Sequence, residues 1–275
     1  MNSAAILLDI VAVLYACASI LYLWGFVSEA ARARRMASIT ALLGLLVHGA
    51  LIADICLAKH TMALTNLFGS LLFVAWSLMA IYLINERKYR ITALGAFAAI
   101  LCLSTVGVVS TLPNGVNETL RPALRSHWSV IHITSCLLGY AGFTLAFGAA
   151  ICYVIQEYML KAKRINVIQR HLPSLDVADH LAYTMVSFGF PLFTLGIVTG
   201  ALWAQTAWNS YWSWIPKETW SLITWLVYAA YLHVRIVSRW RGKWANRLLI
   251  AGLVCVVVTF IGVNFFSGGL HNYKW

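Results

Sequence analysis

Long apolar runs, broken by short polar clusters, dominate the pattern of this chain. They lie at about residues 4–25, 37–58, 63–84, 91–111, 130–157, 181–204, 219–238 and 247–266. Each is close to the roughly 20 apolar residues that a helix needs to cross a hydrocarbon core about 30 Å thick. A backbone facing lipid must satisfy its own polar groups, so the runs are predicted as helices. The breaks between them leave no room for a soluble domain, a long linker or a low-complexity tract. The expectation is an all-α polytopic membrane bundle of eight transmembrane helices, a single integral membrane domain over residues 1–275. One longer break, about 112–129, carries Pro113, Asn114, Gly115 and Pro122 as turn markers. Asn117-Glu118-Thr119 within it fits the N-glycosylation pattern, which is too short to carry an argument.

Composition agrees with this class. Hydrophobic residues make up 61% of the chain, charged residues 11%, and the mean hydropathy is +0.78. A soluble domain cannot hide that much apolar surface. The net charge of +11 does not point to nucleic acid, because the cations are scattered over the breaks and form no stripe. Their distribution instead orients the chain. Alternate breaks hold Arg32, Arg34, Arg35; Arg87, Lys88, Arg90; Lys161, Lys163, Arg164, Arg170; and Arg235, Arg239, Arg241, Lys243, Arg247. That is fifteen cations, against five (Lys59, Arg121, Arg125, Lys217 and Lys274) in the other set. Cations stay on the cytoplasmic side, so both termini are expected on the outer, periplasmic side. Met1 is followed by apolar sequence without a basic n-region, which reads as a retained span. The six cysteines, Cys17, Cys56, Cys102, Cys136, Cys152 and Cys255, lie inside apolar runs, form no CxxC pair and indicate no thiol chemistry.

The chemistry of the chain concentrates in one outward break. Five tryptophans fall between Trp203 and Trp220. Trp208, Tyr211, Trp212 and Ile215 follow spacings of three and four, which predicts a short helix lying in the outer interface. Trp214 and Trp220 belong to the same cluster, and Pro216 suits the first turn of the next helix. An interfacial aromatic belt accounts for any one of these rings. Their density on one break suggests a platform for a large flat apolar ligand.

Depth sorts the eight histidines. His132 sits just inside the outer end of the fifth run, and His271 follows the eighth as it emerges outside. Both lie near the depth of the tryptophan cluster, where neutral imidazole is a haem-iron ligand, although either reads equally as an interfacial histidine. His233 is about 21 Å along the seventh run at 1.5 Å per residue, and an ionisable side chain at that depth marks a functional site or an inter-helix hydrogen bond. His48 has the same two readings and leans to the hydrogen bond. His60, His127, His171 and His180 fit solvated or interfacial positions.

The stretch Trp208-Asn209-Ser210-Tyr211-Trp212-Ser213-Trp214-Ile215-Pro216-Lys217-Glu218-Thr219-Trp220, continuing SLITW, resembles the WWD signature of the CcsA/ResC family of cytochrome c biogenesis proteins, roughly WGxYWxWDPKETWxLITW. Gly269-Leu270-His271-Asn272-Tyr273 is similar to that family's closing GLHSY. Ile131-His132-Ile133 through Gly139-Tyr140 and Tyr231-Leu232-His233-Val234-Arg235 resemble the segments around its other two histidines. The likeness covers the second half, and the first four runs by topology alone. Asn209 stands where the family has Gly, and Ile215 where it has Asp. The resemblance implies that haem b is delivered to the outer face and attached to the CxxCH segment of apocytochrome c. It implies a role as subunit of a cytochrome c haem lyase or synthase, in the bacterial inner membrane or, if plastid-encoded, the thylakoid membrane. His132 and His271 would then be outer iron ligands and His233 an intramembrane one, with Trp208, Tyr211, Trp212, Trp214 and Trp220 as haem contacts. Implied partners are a CcsB/ResB-like membrane protein, which would supply the second intramembrane ligand, and thiol-reducing proteins. A HemX-like haem-binding regulator without ligation activity is the alternative. A transporter of another solute fits less well, since Asp9 and Asp54 lie toward the ends of their runs and no paired broken helices occur.

Overall fold

The computed structural model describes residues 3–28, 30–59, 64, 66–89, 91–112, 126–163 and 167–263. His271, His60 and the Asn117-Glu118-Thr119 pattern lie outside the described residues. All eight apolar runs form helix: α1 (Ser3–Ser28), α2 (Ala31–Lys59), α3 (Leu67–Tyr89), α4 (Thr92–Ser110), α5 (His127–Lys161), α7 (Leu175–Trp208), α8 (Pro216–Ile236) and α9 (Lys243–Val257), the last continued by a π-helical turn (Val258–Gly262). A single extra turn, α6 (Val167–His171), lies between α5 and α7. Seven of these helices are long and apolar enough to cross a membrane, and the protein is a multi-pass membrane protein. The helix outside that group is α8, whose 21 residues begin with Pro216, Lys217, Glu218 and Thr219 and carry many aromatic rings.

Among the described residues the most extensive helix packing is between α5 and α7, and small residues allow close approach there. A Cβ on Gly139 would lie 3.0 Å from Phe193 Cβ and 3.1 Å from the Gly189 carbonyl, and one on Gly189 would lie 2.9 Å from the Gly139 carbonyl. Without a hydrophobic force between helices in lipid, such close backbone contact supplies the packing energy.

The first four helices form a second packed block. The buried stripe of α1, Val11, Tyr15, Ala18, Ser19, Tyr22 and Gly25, follows helical spacing and faces α2 and α4. Near the C-terminal end of α1, Glu86 Oε1 accepts from three hydroxyls: Tyr22 at 3.0 Å, Ser38 at 2.9 Å and Tyr82 at 2.8 Å. One carboxylate thus joins α1, α2 and α3. Glu86→Ala is expected to leave these donors unmatched and lower the stability of the purified protein by about 2–4 kcal/mol, read as a lower midpoint in thermal or SDS unfolding. An unchanged midpoint would show that the cluster contributes nothing.

Four contacts bring the cation-rich turns to one end of the bundle. Phe26 meets His171 at 5.5 Å between ring centroids, Tyr89 meets His180 at 5.9 Å, Arg235 pairs with Asp179 at 2.8 Å, and Gly242 lies under the Tyr153 hydroxyl. The tryptophan-rich break lies at the opposite end, after α7 and before α8.

Candidate functional site

At that opposite end a cavity opens between α5, α7, α8 and the π-helical turn. His132, Cys136 and Tyr140 of α5 face it at helical spacings of four, and Trp203, Trp208, Tyr211 and Trp212 wall it from the other side. Lys217, Glu218, Ser221 and Thr259 supply its polar groups. The π turn places Thr259 and Phe260 in the wall, and such local under-winding of a helix is frequent at functional sites.

His132 is held in one tautomer. Its Nδ1 lies 2.6 Å from the Gly196 carbonyl. A carbonyl only accepts, so Nδ1 carries the proton and Nε2 keeps the lone pair. This arrangement, a ring N–H fixed by a backbone carbonyl, orients metal-ligating histidines generally. The ring stacks on Trp203 at 5.9 Å and 24°, and Trp203 meets Trp208 edge-on at 5.2 Å. Gly200 gives the imidazole its room, since a Cβ there would stand 2.6 Å from Nδ1. Cys136 Sγ is 3.8 Å from the same nitrogen.

The predicted interfacial helix across Trp208, Tyr211, Trp212 and Ile215 does not form. Asn209 adopts a left-handed conformation (φ 57°) and ends α7, its N–H bonded to the Gln205 carbonyl at 3.1 Å. Trp214 is also left-handed (φ 56°), and the Ser213 N–H donates to Glu218 at 2.7 Å. Asn is the residue that best replaces Gly in such a cap, which accounts for its presence where the family pattern has Gly. The end of α7 still delivers Trp208 to the cavity, and the irregular loop delivers Tyr211 and Trp212. Trp214 is 68% exposed, with its ring against Trp212, and neither it nor Trp220 lines the cavity. The Trp212 indole N–H is buried without an acceptor among the described residues.

The other departure, Ile215, occupies the N-cap of α8 and makes no side-chain cap bond, ahead of Pro216 at the first helical position. An Asp there would accept from the first-turn N–H groups, beside Glu218 in the first turn. Ile215→Asp is expected to stabilise the fold by about 1 kcal/mol, measured as a rise in the unfolding midpoint. A fall would show that the cap position is constrained by something other than helix termination.

His233 lies apart from the cavity, exposed in the last turn of α8 at the cation-rich end. His48 is fully buried, its Nδ1 3.1 Å from the Tyr15 hydroxyl across α1 and α2. Sequence reasoning missed Trp203, Cys136, Gly196, Gly200 and Lys217 as parts of this site. The Gly196–Gly200 spacing of four, and the equal spacing of His132, Cys136 and Tyr140, were the available signals.

Fold and site together define a polytopic membrane protein with an imidazole set in an indole-walled cavity at one membrane face. Residues 64–271 match the Cytochrome C assembly protein family, and the chain belongs to it. It is 39% identical over 232 residues to "Cytochrome c biogenesis protein CcsA" of Guillardia theta, covering 77% of this chain and 76% of that one. The protein of the same name in Porphyra purpurea is 35% identical over 278 residues, covering 86% and 87%, and that of Synechococcus elongatus is 34% identical over 280 residues, covering 82% and 86%. The fold also matches the solved structure of "Cytochrome c Heme Lyase CcmF", with a TM-score of 0.70 at 18% identity, over 94% of this chain and 46% of that longer one.

Proposed function

We propose that this chain presents haem at the outer membrane face and takes part in attaching it to apocytochrome c, as the CcsA-like subunit of a cytochrome c synthase. One observation carries the reading: His132, with Nδ1–H committed to Gly196, stands in the wall of an indole-lined cavity at the end opposite the cationic turns. Cations stay cytoplasmic, so the cavity faces outward, α8 makes an eighth crossing and both termini lie outside. The membrane is the bacterial inner membrane or the thylakoid membrane.

Haem b is substrate here, and the donor set suits it. Neutral imidazole Nε2 is an iron ligand, indole faces match the porphyrin plane, and Lys217 with the Trp212 N–H suits its carboxylates. His271 is the proposed second outer ligand. It follows Val263 by eight residue steps, a reach of up to about 29 Å. His233 is the proposed intramembrane ligand. His48 is closed against Tyr15 on another helix pair, so the second intramembrane ligand falls to a CcsB/ResB-like partner. Attachment adds each cysteine S–H of a CxxCH segment across a vinyl C=C, forming C–S and C–H bonds with no net electron demand. Thiol-reducing proteins keep those cysteines available. The chain's own contribution is positioning.

The test is co-expression with the partner and a CxxCH reporter in a host lacking its own maturation system. Holo-cytochrome that appears only when this chain is present supports the reading. Haem bound by the purified protein without any holo-cytochrome would contradict the attachment role.

A further inference from the structure

We propose that the turn between α8 and α9 binds the phosphodiester headgroup of an anionic lipid. From Ile236 to Arg247 the chain has four cations, Arg239, Arg241, Lys243 and Arg247, and no acidic residue. All four are exposed. The preceding cation, Arg235, is already used. It forks onto both carboxylate oxygens of Asp179 at 2.9 and 2.8 Å, and donates to the Trp240 carbonyl at 3.1 Å. That pair is almost inaccessible. It anchors the turn to α7 and leaves the other four cations facing outward on a fixed backbone.

Two indoles are interleaved with them. Trp240 is 52% exposed and Trp244 is 61% exposed, with the Arg247 guanidinium 4.5 Å over the Trp244 ring. Exposed Ile236 and Val237 continue the apolar surface of α8 up to the first cation. Indole prefers the depth of the lipid headgroups, and guanidinium forks match phosphate oxygens. The start of α9 adds to the same potential, because Gly242 provides no capping side chain and the first turn has no acidic residue. Cations alone would suit a soluble anion equally. Cations interleaved with exposed indoles at the junction of two helices suit a lipid. A headgroup there would also steady the last turn of α8, which carries His233.

Native mass spectrometry of the purified full chain tests this, with phosphatidylglycerol and phosphatidylcholine of identical acyl chains. Each juxtamembrane cation is worth roughly fivefold in attraction to an anionic surface. The wild type is therefore expected to hold phosphatidylglycerol at least about tenfold more tightly. R239Q/R241Q/K243Q/R247Q is expected to lose that preference, whereas R32Q/R34Q/R35Q, which removes three exposed cations from the start of α2, keeps it. W240A/W244A is expected to weaken retention severalfold with every charge in place, and it reads the same surface if the quadruple variant fails to fold. Equal retention of the two lipids by the wild type would overturn the proposal. So would equal losses in the two charge variants, or displacement of the lipid by millimolar glycerol phosphate, which would assign the surface to soluble phosphate.

Discussion

Replacing His132 with glycine is expected to reduce holo-cytochrome yield by more than about a hundredfold. Groups that merely support a metal ligand are worth about 10–100-fold, and this substitution removes the proposed ligand itself. The helix persists, because residue 132 lies inside α5 and its loss leaves a space where the imidazole had stacked on Trp203. That space suggests a sharper readout. Free imidazole added to the variant can occupy it and return a nitrogen to the iron. The expected result is an altered haem absorption spectrum in the variant and partial recovery of spectrum and yield with imidazole. Unaltered maturation would remove His132 from the site.

Gly200→Ala is expected to lower haem affinity by about 10–100-fold without replacing the proposed ligand, His132. Its Cβ would stand 2.6 Å from His132 Nδ1, so the ring has to turn away and its bond to the Gly196 carbonyl breaks. The imidazole then loses both its fixed tautomer and its aim. Alanine favours helix over glycine by about 1 kcal/mol, so destabilisation of α7 does not explain the loss. Gly107→Ala is the control, because its new methyl group would meet nothing within 4 Å. Haem titration of the two variants checks the prediction. Equal affinities would show that His132 does not depend on the space beside Gly200.

The helices were legible because lipid forces a plain pattern: long apolar runs ended by cations. The register of α5 against α7 was not, since Gly139, Gly142, Gly189 and Gly196 act by what they omit. The cavity was legible in part. His132, Trp208, Tyr211 and Trp212 were chosen from depth and spacing, and the structure brings these four together. Spacing misled over residues 208–215, where left-handed Asn209 and Trp214 replace the expected helix. That conformation depends on Glu218 reaching back to Ser213 across the break, a contact that helical periodicity does not encode. Trp203 was counted in the tryptophan cluster but not named as a haem contact, although its place on the last turns of α7 stacks it on the imidazole. The role of Ile215 became clear only when its position proved to be a helix cap.

The most direct measurement is a structure of the haem-loaded protein with its partner. The expected result is a porphyrin inside the cavity walled by Trp203, Trp208 and Trp212, with its iron bound by His132 Nε2 and a carboxylate toward Lys217. An iron beyond the reach of His132, or a porphyrin held only at the cation-rich end beside His233, would contradict the account.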